Sequence, residues 1–201
     1  MRLRQLRRSN MFGALEVIMK SYAQMAAIPQ SEEYIGTGDT AIYRTVDRMK
    51  NIIDNSARNP YVREWAKKIV ARVEVNNKKA EASAVFNFVR DNVRYTKDPY
   101  GFEYITTPPT LLEDIRLSQE GRGDRPVGDC DDMCVLSLSL LKAIGFQTAI
   151  KVVSFVPSKK FGHVYGLVKI GYDWIPVDCV RPDKNLGWES QGHTRVMETT
   201  V

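Results

Sequence analysis

The sequence predicts an α+β protein in which a helical half precedes an antiparallel sheet, with one buried helix between them. Three observations support this prediction. Apolar residues recur at helical spacing through the first half of the chain, whereas short runs rich in β-branched residues follow position 148. Between the halves, the leucine-rich segment after residue 130 is apolar around most of its circumference, which indicates a helix buried on most sides.

The first half of the chain contains three predicted amphipathic helices. A loop over residues 31–39 ends at Asp39, a residue type that caps helix N-termini. Asn59 followed by Pro60 is typical of the start of a second helix, and a third ends near Arg94 and Tyr95. The three apolar stripes consist of Ile42, Val46, Met49 and Ile53; Val62, Trp65, Ile69 and Val73; and Ala82, Phe86, Val89 and Val93.

Irregular segments connect these helices to the buried one. Residues 96–110 hold several prolines and predict an irregular connection, residues 111–117 a short helix, and residues 120–128 a glycine-containing loop. The buried helix then starts at Cys130, and Gly145 is well placed to end it.

The second half changes to a strand pattern. Residues 149–156, 164–170 and 174–178 predict three strands of an antiparallel sheet, separated by turn-forming residues. Residues 181–201 are polar and aperiodic, and the sequence predicts no element there.

Length and composition favour a folded domain with appendages. The chain has 201 residues, of which 43% are hydrophobic and 26% charged, which excludes disordered, collagen-like and disulfide-scaffold proteins. No apolar run reaches the roughly 18 residues that a membrane span needs. We predict a basic amphipathic arm over residues 1–38, one domain over 39–182 with its core in 80–182, and a polar tail over 183–201.

The net charge of +5 is concentrated in the arm. Arg2, Arg4, Arg7 and Arg8 supply most of it, so the rest of the chain is nearly neutral. The arm could contact nucleic acid, an anionic membrane face or a partner protein, or be a solvated helix start. Three cysteines without an export signal indicate a reducing compartment, in which thiols stay free.

Three residues can combine into one reactive site. Cys130 stands at a helix N-terminus, where the helix dipole and free N–H groups stabilise a thiolate. His163 begins one strand and Asp178 ends the next, so an imidazole could activate the thiol while a carboxylate orients it. The acids at 129, 131 and 132 oppose thiolate formation, unless they serve instead to cap the helix.

These residues resemble the transglutaminase-like cysteine-protease superfamily. The resemblance rests on Gly128-Asp129-Cys130-Asp131-Asp132-Met133, on the helix ending in Lys142-Ala143-Ile144-Gly145-Phe146, and on the motif His163-x-Tyr165…Gly171-x-x-Trp174-x-x-x-Asp178. Residues 88–95 also resemble the helix that precedes the site in prokaryotic members. The resemblance covers about residues 80–182, and it departs from the family at Val164-Tyr165, where many members carry Ala-Trp after the histidine.

The resemblance implies a papain/transglutaminase-like core and acyl transfer through a thioester. Cys130 would be the nucleophile, His163 the general base and then acid, and Asp178 the orienting carboxylate. Asp129, Tyr95 and Trp174 are the implied substrate or oxyanion contacts. Water as acceptor gives a peptidase or amidase acting on a protein or peptide, and an amine gives a cross-link. We expect neither a metal nor another cofactor.

Other interpretations of the same residues stay open. Cys130 could be a buried structural thiol, or Cys130, Cys134, His163 and Cys179 could bind zinc, although structural zinc sites usually draw ligands from tight loop pairs. Strand geometry predicts that Cys179 points away from Asp178.

The resemblance also implies a second class of function, because small stand-alone members occur in bacteria and in tailed phages: a phage virion structural or assembly protein that keeps this fold with little or no turnover. The location that we expect is therefore the cytoplasm of a bacterial host, or a virion. Chain ends are usually disordered unless something holds them. If both ends of this chain are ordered, contacts with partner subunits of such an assembly would hold them. We therefore predict that residues 1–27 and 183–201 make these contacts.

Overall fold

The computed structural model describes residues 39–97, 104–156 and 161–201. The elements there are α1 (Asp39–Arg58), α2 (Pro60–Val70), α3 (Lys78–Asn92), β1 (Arg94–Tyr95), α4 (Pro108–Gln119), β2 (Val127–Gly128), α5 (Cys130–Ala143), β3 (Thr148–Ser154), β4 (His163–Ile170), β5 (Asp173–Val177) and β6 (Arg195–Thr200). The predicted α+β fold class is confirmed. The basic arm, residues 1–38, and the partner surface predicted within it lie outside the described residues.

Helix α5 is the centre of the fold, as its apolar circumference predicted. Every residue from Asp131 to Leu141 is buried. Helices α1, α2, α3 and α4 pack on one side of α5, and strands β3 and β4 pack on the other. The helix therefore joins the helical layer to the sheet.

Helix ends follow the capping chemistry of the sequence. The Asn59 side chain accepts a hydrogen bond of 2.8 Å from the Tyr61 N–H and begins α2. Gly145, with a φ of 91°, ends α5 in the left-handed conformation that glycine adopts without strain. Helix α2 ends at Val70, before the predicted stripe residue Val73, because the chain turns there toward α3 through Asn76 at a φ of 66°.

The main sheet has the order β5-β4-β3-β6, and every neighbouring pair is antiparallel. Strands β3, β4 and β5 lie close to where the sequence predicts them. Strand β6 was not predicted. It pairs with β3 along its whole length within the segment interpreted as a polar tail, and its side chains alternate between half-buried and exposed. Backbone pairing therefore holds this edge strand more than an apolar face does.

A second, two-stranded sheet lies beside the start of α5. Strands β1 and β2 are parallel, with Tyr95 paired to Gly128, and the Thr96 N–H donates to the Gly128 carbonyl at 2.9 Å. This pairing brings Tyr95 next to the residues that precede Cys130. The sequence predicted neither strand.

None of the described helices combines the length and the apolar character that crossing a membrane requires.

We predict that Gly166→Ala destabilises the fold. A Cβ atom at Gly166 would lie 2.5 Å from Leu138 Cδ2 and 2.9 Å from its Cγ, where β4 crosses α5. Leu138 is fully buried, so its side chain has little room to move. The free energy of unfolding, measured by urea denaturation, should fall by about 1–3 kcal/mol.

A double-mutant cycle tests the cause of this loss. In a Leu138→Ala background the clashing atoms are gone, so adding Gly166→Ala should cost much less there than in the wild-type protein. An equal cost in both backgrounds would contradict the proposed clash.

Candidate active site

Cys130 is the first residue of α5 and is partly exposed, whereas the residues that follow it, Asp131 to Leu141, are buried. The loop of residues 120–126 and strand β2 deliver it to this position. Because the first N–H groups of a helix have no intrahelical acceptor, they present positive partial charge to a thiolate at this end.

Two of the three acids around Cys130 have a structural role. The Asp129 carboxylate accepts from the N–H groups of Asp131 and Asp132 at 3.1 and 3.4 Å. In return, the Asp132 carboxylate accepts from the Asp129 N–H at 3.2 Å and from the Thr106 N–H at 2.6 Å. For Asp129 and Asp132, the interpretation of these acids as helix caps is confirmed.

His163 and Asp178 form a direct pair. His163 Nε2 lies 2.9 Å from Asp178 Oδ2, and Asp178 is completely buried. Gly166 is paired with Val177, so Asp178 comes opposite Tyr165 and diagonally from His163, within side-chain reach. With Nε2 directed at the carboxylate, Nδ1 is the nitrogen left to exchange a proton with a thiol.

Two aromatic side chains lie close to the imidazole. The His163 ring lies 6.5 Å from the Phe155 ring and 5.5 Å from the Tyr165 ring. The Tyr165 hydroxyl donates to Glu189, which also accepts from Lys151 at 2.9 Å. Burial, followed by the hydrogen bond to Glu189, raises the pKa of Tyr165, so the phenol keeps its proton.

The sequence analysis missed this support for His163. Glu189 belongs to the polar segment in which no element was predicted, and no local pattern marks a side chain that reaches across the sheet. Tyr165 stands where many family members carry tryptophan, so the departure noted in the sequence falls on a residue that packs against the histidine.

Cys130 and His163 line one cavity of about 230 Å³. Polar groups of the α5 N-terminus form one part of its wall, and side chains of α1, β3 and β4 form an apolar part. The complete lining is Ile42, Thr45, Val46, Met49, Asp129, Cys130, Asp131, Val152, Phe161, Gly162, His163 and Val164. The α1 residues of this wall were interpreted in the sequence only as the core face of a helix.

Tyr95 lies close to these residues. Burial and then the negative charges of Cys130, Asp129 and Asp178 raise the pKa of its phenol to about 12. The phenol therefore remains a hydrogen-bond donor across the physiological pH range. This is the property that an oxyanion-stabilising group needs.

Trp174 lies away from the other predicted site residues. It is paired with Lys169 near the start of β5, is 38% exposed and does not line the cavity. Asp178 follows it by four residues, or roughly 13 Å of extended chain. Trp174 stays a predicted substrate contact, at a position outside this cavity.

The other two cysteines are buried away from the cavity. Burial raises the pKa of Cys134 and of Cys179, and the Cys179 thiol lies 3.9 Å from the Phe86 carbonyl, in the core that the helices share. In the described part of the chain, the four residues of the zinc alternative do not gather as ligands. The one group whose potential ligand atoms lie within 4.8 Å of one another consists of Asp129, Cys130 and Asp131.

Comparison with known families agrees with this arrangement. The family model of the transglutaminase-like superfamily matches residues 63–179, which is more than half of the chain. The chain belongs to the transglutaminase-like superfamily. The matched range includes every member of the Cys130, His163 and Asp178 set and confirms the resemblance found in the sequence. No curated protein sequence matches the chain.

Three solved structures are partly similar to this chain. A candidate protease from Parabacteroides distasonis is 9% identical with a TM-score of 0.50, over 65% of this chain and 25% of that one. A candidate cysteine protease from Cytophaga hutchinsonii is 14% identical with a TM-score of 0.42, over 77% of this chain and 53% of that one. Legionella pneumophila LapG is 18% identical with a TM-score of 0.33, over 84% of this chain and 75% of that one. The chain thus spans a quarter of the first structure and about half of the second, and its similarity to the first concerns the fold alone.

We predict that Tyr95 makes stability depend on pH above 10. The pKa of Tyr95 is raised from 10.0 to about 12 in the folded protein. Between these values the unfolded chain loses the proton and the folded chain keeps it, so the free energy of unfolding falls as pH rises. In Tyr95→Phe, the decrease measured by urea unfolding between pH 8 and pH 11 should be smaller than in the wild type.

Tyr172→Phe is the matched control, because Tyr172 is 99% exposed and makes no comparable contact. It should show the wild-type decrease. A Tyr95→Phe protein that behaves like Tyr172→Phe would refute the prediction.

Proposed function

We propose that this protein is a cysteine peptidase or amidase that works by acyl transfer through a Cys130-His163-Asp178 triad. The observation that carries this proposal is the His163–Asp178 pair of 2.9 Å beside a cavity that also holds Cys130 at a helix N-terminus. Family membership supports the same class of chemistry. The reaction would be hydrolysis of an amide bond in a protein or peptide.

In this mechanism the residues have separate tasks. His163 Nδ1 takes the Cys130 proton, and the thiolate attacks the carbonyl carbon of the substrate. Asp178 holds Nε2, which fixes the tautomer and stabilises the imidazolium. The imidazolium protonates the leaving amine, and a water molecule activated by the same imidazole then hydrolyses the thioester.

Tyr95 would complete the site as an oxyanion donor. The Cys130 N–H is one donor at the helix N-terminus, and the Tyr95 phenol, whose pKa of about 12 keeps it protonated, would be the second. The negative charges that act on Tyr95 come from Cys130, Asp129 and Asp178, so the phenol lies near the residues proposed to react.

The alternative, a virion assembly protein without turnover, keeps the same fold and needs a test of reactivity. One argument for the assembly role is that residues 183–201 would be ordered only if partner subunits held them. Strand β6 pairs with β3 and Glu189 binds Lys151 and Tyr165, so contacts within the chain account for much of that order. We therefore place the peptidase or amidase role first.

The deciding experiment measures labelling of Cys130 by iodoacetamide from pH 4 to pH 9. An assembled thiolate–imidazolium pair should react well below pH 7, whereas an ordinary thiol reacts near its pKa of about 8.5. Cys134 and Cys179 are internal references, because burial raises the pKa of each and excludes reagent. The proposal requires that His163→Ala abolish the low-pH labelling, and labelling of Cys130 only near pH 8.5 would favour the assembly role.

We predict that Asp178→Asn shifts the same profile. The substitution preserves shape but removes the charge that stabilises the His163 imidazolium, so the labelling midpoint should rise by roughly 1–2 pH units, the size of one charged hydrogen bond. Asp124→Asn, a change at an exposed loop position, is the matched control and should leave the midpoint unchanged. An unshifted midpoint in Asp178→Asn would remove Asp178 from the triad.

A further inference from the structure

The third acid beside the nucleophile has no assigned role. Asp131 is 3% exposed, and neither of its carboxylate oxygens has a hydrogen-bond partner among the described residues. Asp129 and Asp132, its neighbours, are both used in the helix cap. A buried carboxylate without a partner is costly, so its presence in a cavity wall indicates a ligand that supplies N–H donors or positive charge.

The rest of the cavity limits what this ligand is. Apart from the α5 N-terminus, Thr45, Gly162 and His163, the lining is apolar and comes from Ile42, Val46, Met49, Val152, Phe161 and Val164. At about 230 Å³ the cavity is smaller than the roughly 300–1,000 Å³ of sites for whole drug-sized ligands. It therefore suits a single apolar side chain with a polar group at one end.

We propose that Asp131 binds the free α-ammonium group of the substrate's first residue, so that the enzyme releases apolar residues from peptide N-termini. This inference rests on the proposed function and names its substrate class. The apolar side chain of that first residue would fill the cavity, and its carbonyl carbon would lie at Cys130.

The distance between the two groups favours an α-ammonium. A carboxylate oxygen of Asp131 lies within 4.8 Å of Cys130 Sγ. In an N-terminal residue the ammonium nitrogen is only about 2.5 Å from its carbonyl carbon, from standard bond lengths and angles. One group can then bind Asp131 while the other meets the sulfur. A lysine side-chain ammonium is six bonds from its carbonyl carbon and would have to fold back along its stem.

The charge of the bound group identifies it as part of the acyl donor. An ammonium paired with a carboxylate has no lone pair and cannot attack a thioester, so this site does not hold an acceptor amine. Its positive charge would also offset Asp131, which otherwise opposes the thiolate of Cys130.

The reaction balances with water as the only co-substrate. The bond between Cys130 Sγ and the carbonyl carbon forms, the C–N bond to the second residue breaks, and the leaving amine takes its proton from His163. Water then gives a proton to His163 and attacks the thioester carbon. The C–S bond breaks, and the first residue leaves as a free amino acid.

Binding can be tested apart from turnover in the Cys130→Ala protein. Calorimetry would compare leucine amide with N-acetyl-leucine amide, which lacks the positive charge. We expect leucine amide to bind about tenfold more tightly or better, the size of one charge-assisted hydrogen bond. In Cys130→Ala/Asp131→Asn this preference should disappear, and in Cys130→Ala/Asp124→Asn it should remain.

Three results would overturn the assignment: equal affinity for the two amides, an unchanged preference after Asp131→Asn, or binding of calcium or zinc chloride alone that excludes leucine amide. Equally tight binding of Nα-acetyl-lysine amide would reassign the site to a side-chain ammonium. If Asp131→Asn does not fold, the comparison of free and acetylated amides in Cys130→Ala still decides.

Turnover by the wild-type protein separates this inference from the proposed function. Release of leucine from a free leucyl peptide at least tenfold faster than cleavage of its acetylated form supports both. If Cys130 is labelled at low pH but the protein cleaves only acetylated peptides, the peptidase function stands and the ammonium site is overturned. Binding of leucine amide without low-pH labelling of Cys130 would support the ammonium site and overturn the proposed peptidase function.

Discussion

The burial of α5 is the constraint on which the rest of the structure depends. A helix that is enclosed by four helices and a sheet cannot leave its first N–H groups without acceptors, so Asp129 and Asp132 cap them reciprocally. This cap fixes where the helix begins, and thereby the position of the Cys130 side chain at its first residue. The acids that would oppose a thiolate are thus also the groups that position the thiol, and helix stability and thiol reactivity draw on the same residues.

The sheet supplies the other half of the site through its register. His163 and Asp178 are fifteen residues apart, and the tight turn between β4 and β5 brings them to one end of the two strands. A shift of one residue would turn one of the two side chains to the opposite face. Gly166 allows β4 to pass close to Leu138 of α5, and His163 lies three residues before Gly166 on the same strand.

The C-terminal segment and α1 give the site its surroundings. Glu189 binds the hydroxyl of Tyr165, whose ring lies beside the imidazole, while α1 supplies much of the apolar lining of the cavity that also holds the thiol. Both come from parts of the chain far from the triad motif. The motif therefore describes the reacting groups, whereas substrate choice depends on segments that the motif does not contain.

The sequence by itself determined the order of the helices and of strands β3 to β5, the buried helix and the residues able to react, because these follow from local signals: apolar periodicity, capping pairs and residue types at element ends. Only the tertiary structure decided that β6 joins the sheet, that Tyr95 lies near Cys130 while Trp174 does not, and that Asp131 has no partner. These depend on pairing between distant segments. Such pairing is fixed by backbone hydrogen bonds and by packing, and neither leaves a mark in the local order of side chains.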